Sequence, residues 1–222
     1  MRSISALICA AAALVTTAGA RPSDDVMFMK SKPPRAKHAK PHPTTFKGYA
    51  LGMPLDAFKQ RPSPANVNGP TRIACSDDPA IQASLGSALT PKFQDEVVCG
   101  FQLLRSRDWE AGGLMLDATH GAVVAFHFFK GGLVQIESEE DAALSDVIAQ
   151  SLTAQFGQPA GITNRTSRSL KDEVRTQVIE TWTNGNHGIV MVAPNIGTNR
   201  MSVVYTDLDG FAAMRSGGGN IM

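Results

Sequence analysis

The sequence lacks every compact signature that names a reaction by itself. It contains no H-E-x-x-H, no C-x-x-C-H, no G-x-S-x-G, no phosphate-binding loop and no paired zinc motif. The spaced ligands and nucleophiles of the corresponding enzymes are therefore missing, and neither a metal nor a cofactor is expected. A surplus of charge is lacking too: the formal net charge is +1, which argues against nucleic acid as a partner. Long apolar runs are also absent. Ala6–Val15 is an uncharged apolar run of ten, half of the roughly 20 residues that a membrane-spanning helix needs. Cysteine is scarce, with three in the chain, at positions 9, 75 and 99.

The start of the chain reads as an export signal. Arg2 supplies a positive first region, Ala6–Val15 the apolar one, and Ala18-Gly19-Ala20 the small-residue pattern cut by signal peptidase. A lipoprotein signal at Cys9 fits poorly, because Ile8 stands where a small residue is wanted. The expectation is thus a cleavable peptide over residues 1–20 and a periplasmic or secreted mature protein. In an oxidising compartment the remaining pair, Cys75 and Cys99, is expected to form a disulfide. On the chain-entropy account, closing that loop contributes about 3 kcal/mol.

Residues 21–46 hold six basic side chains against Asp24 and Asp25, with Pro22, Pro33, Pro34, Pro41 and Pro43 interrupting any helix or strand. This is the composition of a basic, proline-rich spacer. Its net +4 leaves −4 for residues 47–222. A solvated tether is one reading; weak contact with an anionic membrane or wall surface is the other. His38 and His42 lie in it four apart, without a third ligand to complete a metal site.

From Lys47 onward the pattern predicts one α+β domain, residues 47–210, made of two pseudo-repeats at about 47–138 and 139–210, then a flexible tail over 211–222. Pro54, Leu55 and Phe58 start a short helix that ends before Pro62, and Asp78-Pro79 starts a second. Strand-like runs follow at Val97–Leu104, Leu114–Leu116, Val123–Phe129 and Leu133–Ser138. A three-residue loop at Lys130-Gly131-Gly132 pairs Phe129 with Leu133, Phe128 with Val134, His127 with Gln135 and Phe126 with Ile136, which puts Val124, Phe126, Phe128, Val134 and Ile136 on one face. A two-residue loop would set Phe128 against Gln135, so the longer loop is preferred. A long helix is expected at about 139–156, capped by Ser138 with Asp141 three residues on, and carrying Leu144, Ile148, Leu152 and Phe156 on one face up to Gly157. The residues Gly161–Asp172 give little signal for either helix or strand. Gln177–Thr183, Ile189–Ala193 and Met201–Thr206 then form a meander with apolar residues on both faces, Trp182 and Val178 lying with Ile189 and Met191.

Two helix-then-antiparallel-sheet units in tandem define the class as α+β. Gly52-Met53-Pro54-Leu55 leading a helix, and Leu152 to Pro159 closing one before a Trp-bearing meander, resemble the tandem modules of β-lactamase-inhibitor-like proteins and the SmpA/OmlA outer-membrane-assembly lipoproteins. That likeness covers about 48–61 and 139–207, and it lacks the lipidation cysteine of the second family. It implies a binding or assembly module without chemistry of its own.

Three side chains stand out as ligand-face candidates. His127 points from a strand among phenylalanines toward Gln135, where a general base in an apolar cleft could sit; the plainer reading is a polar-face residue of a half-buried strand. Asp117, Glu137 and Glu180 are the carboxylates that could join it. Trp182 is either a ligand platform or core. The leading expectation is therefore a periplasmic binding or assembly module that engages another envelope protein. The alternative is a periplasmic hydrolase using His127 with a carboxylate.

Overall fold

The computed structural model describes residues 44–66, 68–82, 89–115, 121–168, 174–195 and 198–217. The expected export peptide, the linker through residue 43, Asp117, His120, residues 169–173 and the chain beyond 217 lie outside them. The first described elements are a tight hairpin, β1 (Thr45–Phe46) and β2 (Tyr49–Ala50), and α1 (Leu55–Lys59), which begins after Pro54 as expected. Then come β3 (Thr71–Cys75), α2 (Pro79–Gln82), β4 (Glu96–Arg105), β5 (Asp108–Met115), β6 (Gly121–Phe129) and β7 (Gly132–Asp141). A 3-10 turn at Ala142–Leu144 leads into α3 (Ser145–Phe156), followed by β8 (Gly161–Arg168), β9 (Val174–Asn184), β10 (His187–Ala193), β11 (Arg200–Asp207) and α4 (Leu208–Gly217).

Strands β3 to β11 make one antiparallel sheet of nine strands in the order β3-β4-β5-β6-β7-β11-β10-β9-β8. β4 divides its length, pairing Glu96–Gly100 with β6 and Phe101–Arg105 with β5. The described residues belong to one compact unit. No helix among the described residues is long and apolar enough to cross a membrane.

This architecture corrects the α+β expectation. The molecule is mostly β-sheet with short helices, and the two tandem helix-then-sheet units are not there. The expected repeat boundary at 138/139 falls inside β7, which pairs with β6 on one side and β11 on the other. The reason lies in Ser138–Asp141. Their charges suit a helix start, but Val203, Ser202, Met201 and Arg200 offer a ladder partner to each of the four, and pairing overrides local preference. The long helix about 139–156 is accordingly shorter. Its start is deferred to Asp141, whose side chain accepts from the Ala143 N–H at 2.9 Å. The sheet also takes in β3 and β8, which carried little pattern of their own. The tail differs as well: α4 occupies its first seven residues, and Met214 is buried with Phe129 and Val134.

The β6–β7 hairpin shows a finer difference. His127 faces Gln135 and Phe126 faces Ile136 as expected, but Phe128 faces Leu133 and Phe129 faces Gly132. The loop is the two-residue Lys130-Gly131, with φ of 49° and 79°, the double left-handed turn that matches strand twist. A bulge between His127 and Phe128 absorbs the one-residue offset. Leu133 thereby turns into the main core and Val134 to the opposite face. Leu133 is free to do so because its backbone bonds elsewhere: its N–H donates to the Met53 carbonyl at 2.9 Å, and its carbonyl accepts from Gly52 at 2.8 Å.

The main core covers the sheet face that carries α1 and α3. At one end Phe58, Phe101, Phe126 and Phe128 pack with Tyr49, the ring centroids of Phe58 and Phe126 being 4.8 Å apart. Offset and tilted aromatic pairs of this kind add to area burial. Toward the other end Leu152 of α3 meets Trp182, Ile189, Met191 and Met201. The disulfide Cys75–Cys99 joins β3 to β4 at directly paired positions, so the expected bridge is present.

Candidate functional site

The ligand-face candidates are placed on opposite sides of the sheet. Alternation along β6 sends Val124, Phe126 and Phe128 into the core and His127 to the other face, which also carries α4. There His127 Nδ1 is 2.7 Å from Glu96 Oε1, and its Nε2 lies 3.8 Å from Glu137 Oε2. The imidazole is only 6% exposed. Glu96 was not foreseen; it sits at the start of β4, whose pairing with β6 brings it alongside. Its second oxygen accepts from the backbone N–H of Lys92 at 2.5 Å and of Phe93 at 3.0 Å. Burial pushes the Glu96 carboxyl up, but the His127 hydrogen bond, the two backbone donors and the His127 charge outweigh it and leave the group below the usual glutamate range.

Gln135 is half-buried directly across from His127. Of the carboxylates considered for it, Glu137 comes near His127; Glu180 is on the helix-bearing face, where it faces Met191, and Asp117 is outside the described residues. His127 Nε2 has no hydrogen-bond partner among the described residues. Among the described residues no group of three His, Cys, Asp or Glu is arranged to hold a metal ion. Trp182 is buried in the core and its indole N–H donates to the Gly157 carbonyl at 3.0 Å, which ties the end of α3 to β9.

Two recesses lie on the helix-bearing side. One groove of about 470 Å³ runs between the start of α3 and strands β9 and β10, with Ala142, Ala149, Val178, Met191 and Ala193 as apolar lining and Asp146 and Glu180 as acids. A second, about 340 Å³, lies on the other flank of α3 against the β1–β2 hairpin. Both fall at the lower end of the size range of small-molecule sites, roughly 300–1,000 Å³.

Among the described residues β8 borders β9 alone, and its residues from Ile162 to Thr166 are exposed. Pairing Ile162 with Glu180 and Arg168 with Val174 sets Ile162 and Val174 on the same face as Trp182 and Val178. Ile162 is 61% and Val174 60% exposed. The face that α3 covers in the middle is therefore bare, and partly apolar, at this end.

Neither a family model, a curated protein nor a solved structure matches the chain.

Proposed function

We propose that the protein is a binding module that takes an extended segment of another polypeptide along β8. The observation that carries this reading is the eight-residue β8 at the sheet margin, exposed and flanked by Ile162 and Val174 on the face of the α3 groove. An edge strand offers a row of backbone donors and acceptors to an incoming chain. Strand addition uses those groups for affinity and neighbouring pockets for selectivity. Here the half-buried Val178 supplies adjoining apolar surface, and Arg165 adds a positive charge that favours a partner with an acidic side chain opposite. The export signal expected at residues 1–20, together with the disulfide, makes an envelope protein the partner in this reading.

The hydrolase alternative has less support. It needs His127 in a concave site with a nucleophile in reach. The ring is instead hydrogen-bonded to Glu96, with Glu137 3.8 Å away, on the face away from both grooves.

A photo-crosslinking amino acid placed at Asn164 tests the proposal in the intact envelope. The expected result is one polypeptide captured from Asn164, not captured from the exposed α3 position Gln150, and lost when Ile162→Lys is introduced. Equal capture from both positions, or capture indifferent to the lysine, overturns it.

A further inference from the structure

We propose that the groove between α3 and the β1–β2 hairpin is a separate site for a small apolar amine, with Glu140 as its polar anchor. Phe46, Leu144, Val147, Ile148, Leu152 and Val203 give it apolar walls. Val147 is 65% exposed at its rim, while Leu152, farther along the same helix, is buried. The groove's only carboxyl among the described residues is Glu140, which the unforeseen extension of β7 turns inward opposite Met201.

Glu140 Oε2 is the one buried polar atom of the groove without a partner among the described residues; Lys47 also lines the groove, and its charge acts on Glu140. Glu140 Oε1 accepts from the Ser138 hydroxyl at 3.0 Å. A buried oxygen without a donor is costly and calls for an explanation. Burial raises the Glu140 pKa, against the opposing effects of the Ser138 hydrogen bond and the Arg200 and Lys47 charges. A ligand that brings a donor and a positive charge answers both needs. An alkyl ammonium does so, and its hydrocarbon part would lie against the apolar walls. A carboxylate ligand would put a second anion beside the first, and a plain hydrocarbon would leave Oε2 unmatched. This site does not depend on β8, so its fate and that of the strand-addition reading are decided independently.

Calorimetric titration of the full chain with n-octylamine and with sodium octanoate, both below their micelle concentrations, provides the test. Octylamine is expected to bind at least about tenfold tighter than octanoate. Glu140→Gln keeps the Ser138 bond but removes the charge, and is expected to weaken octylamine by about tenfold or more while thermal melting shows a folded protein. Val147→Trp fills the rim from an exposed position and should lower octylamine affinity without altering Glu140, so it decides the matter if the glutamine variant does not fold. Octanoate binding as well as octylamine, or octylamine affinity unchanged in the tryptophan variant, overturns the proposal. So does an unchanged affinity in a folded glutamine variant.

Discussion

The two ends of the sheet are built on different terms. At the β3–β6 end, a disulfide pins the edge strand to β4, four phenylalanines and Tyr49 fill the space under α1, and His127 with Glu96 ties β6 to β4 on the reverse face. At the β9–β8 end, the outermost strand has exposed side chains from Ile162 to Thr166, and Ile162 and Val174 lie uncovered on the face that carries α3. One edge is closed covalently and the other is left open. Natural sheets normally blunt an exposed margin with charge, proline or a covering element. A chain stapled at one edge, with Ile162 and Val174 in water at the other, would in the proposed strand-addition reading keep stability and recognition apart.

The sharpest way to break that contrast is to remove an aromatic ring from the closed end. Phe126→Ala leaves a void among Tyr49, Phe58 and Phe101, and burial of this kind predicts a loss of about 3–5 kcal/mol. Chemical denaturation would report it as a lower midpoint with an unchanged slope. A loss below about 1 kcal/mol would mean that the aromatic cluster is not the anchor of that end.

The next effect is smaller and depends on pH, and it sets two buried glutamates against each other. Glu96 has a folded pKa below its ordinary value. Its contribution is present above the unfolded glutamate range and is lost as pH falls through the depressed folded value. Glu140 has a folded pKa above its ordinary value. Its contribution is present below the unfolded range and is lost as pH rises through the raised folded value. Denaturation midpoints from about pH 3 to 8 should therefore show opposite changes in the two variants. Glu96→Gln flattens the acid limb and also costs about 1–3 kcal/mol at neutral pH, because an amide cannot accept both from His127 and from the Lys92 and Phe93 N–H groups. Glu140→Gln flattens the decline on the higher-pH side. Parallel curves for the wild type and both variants would contradict the assignment.

Legibility in the sequence followed the same division. The disulfide, the helix after Pro54, the pairing of His127 with Gln135 and the faces of the β9–β10 meander could all be read, because each rests on a local cue or on alternation. The β7 extension could not, since Glu139, Glu140 and Asp141 look like the acidic first turn of a helix until β11 is known to lie beside them. The bulge opposite His127 was hidden for a similar reason: it depends on Leu133 bonding to Met53, eighty residues away in sequence by that measure of contact. β8 showed no apolar alternation because one of its edges and most of its side chains face water. Glu96 next to His127 is a product of β4–β6 pairing across 31 positions, and no short-range signal announced it.

The smallest expected effect is the most informative about the open end. Ile162 is exposed and pairs across to Glu180 on β9. Ile162→Lys removes little buried area, so the folded protein should keep its stability within about 0.5 kcal/mol. The lysine even meets an acidic cross-strand neighbour, which favours the isolated fold slightly. A residue chosen for packing would not permit this. If the denaturation midpoint stays put while capture through β8 disappears, Ile162 serves a contact outside the chain. If the midpoint drops by more than about 1 kcal/mol equivalent, the edge strand is held as firmly as the disulfide-bonded end and the division between the two ends fails.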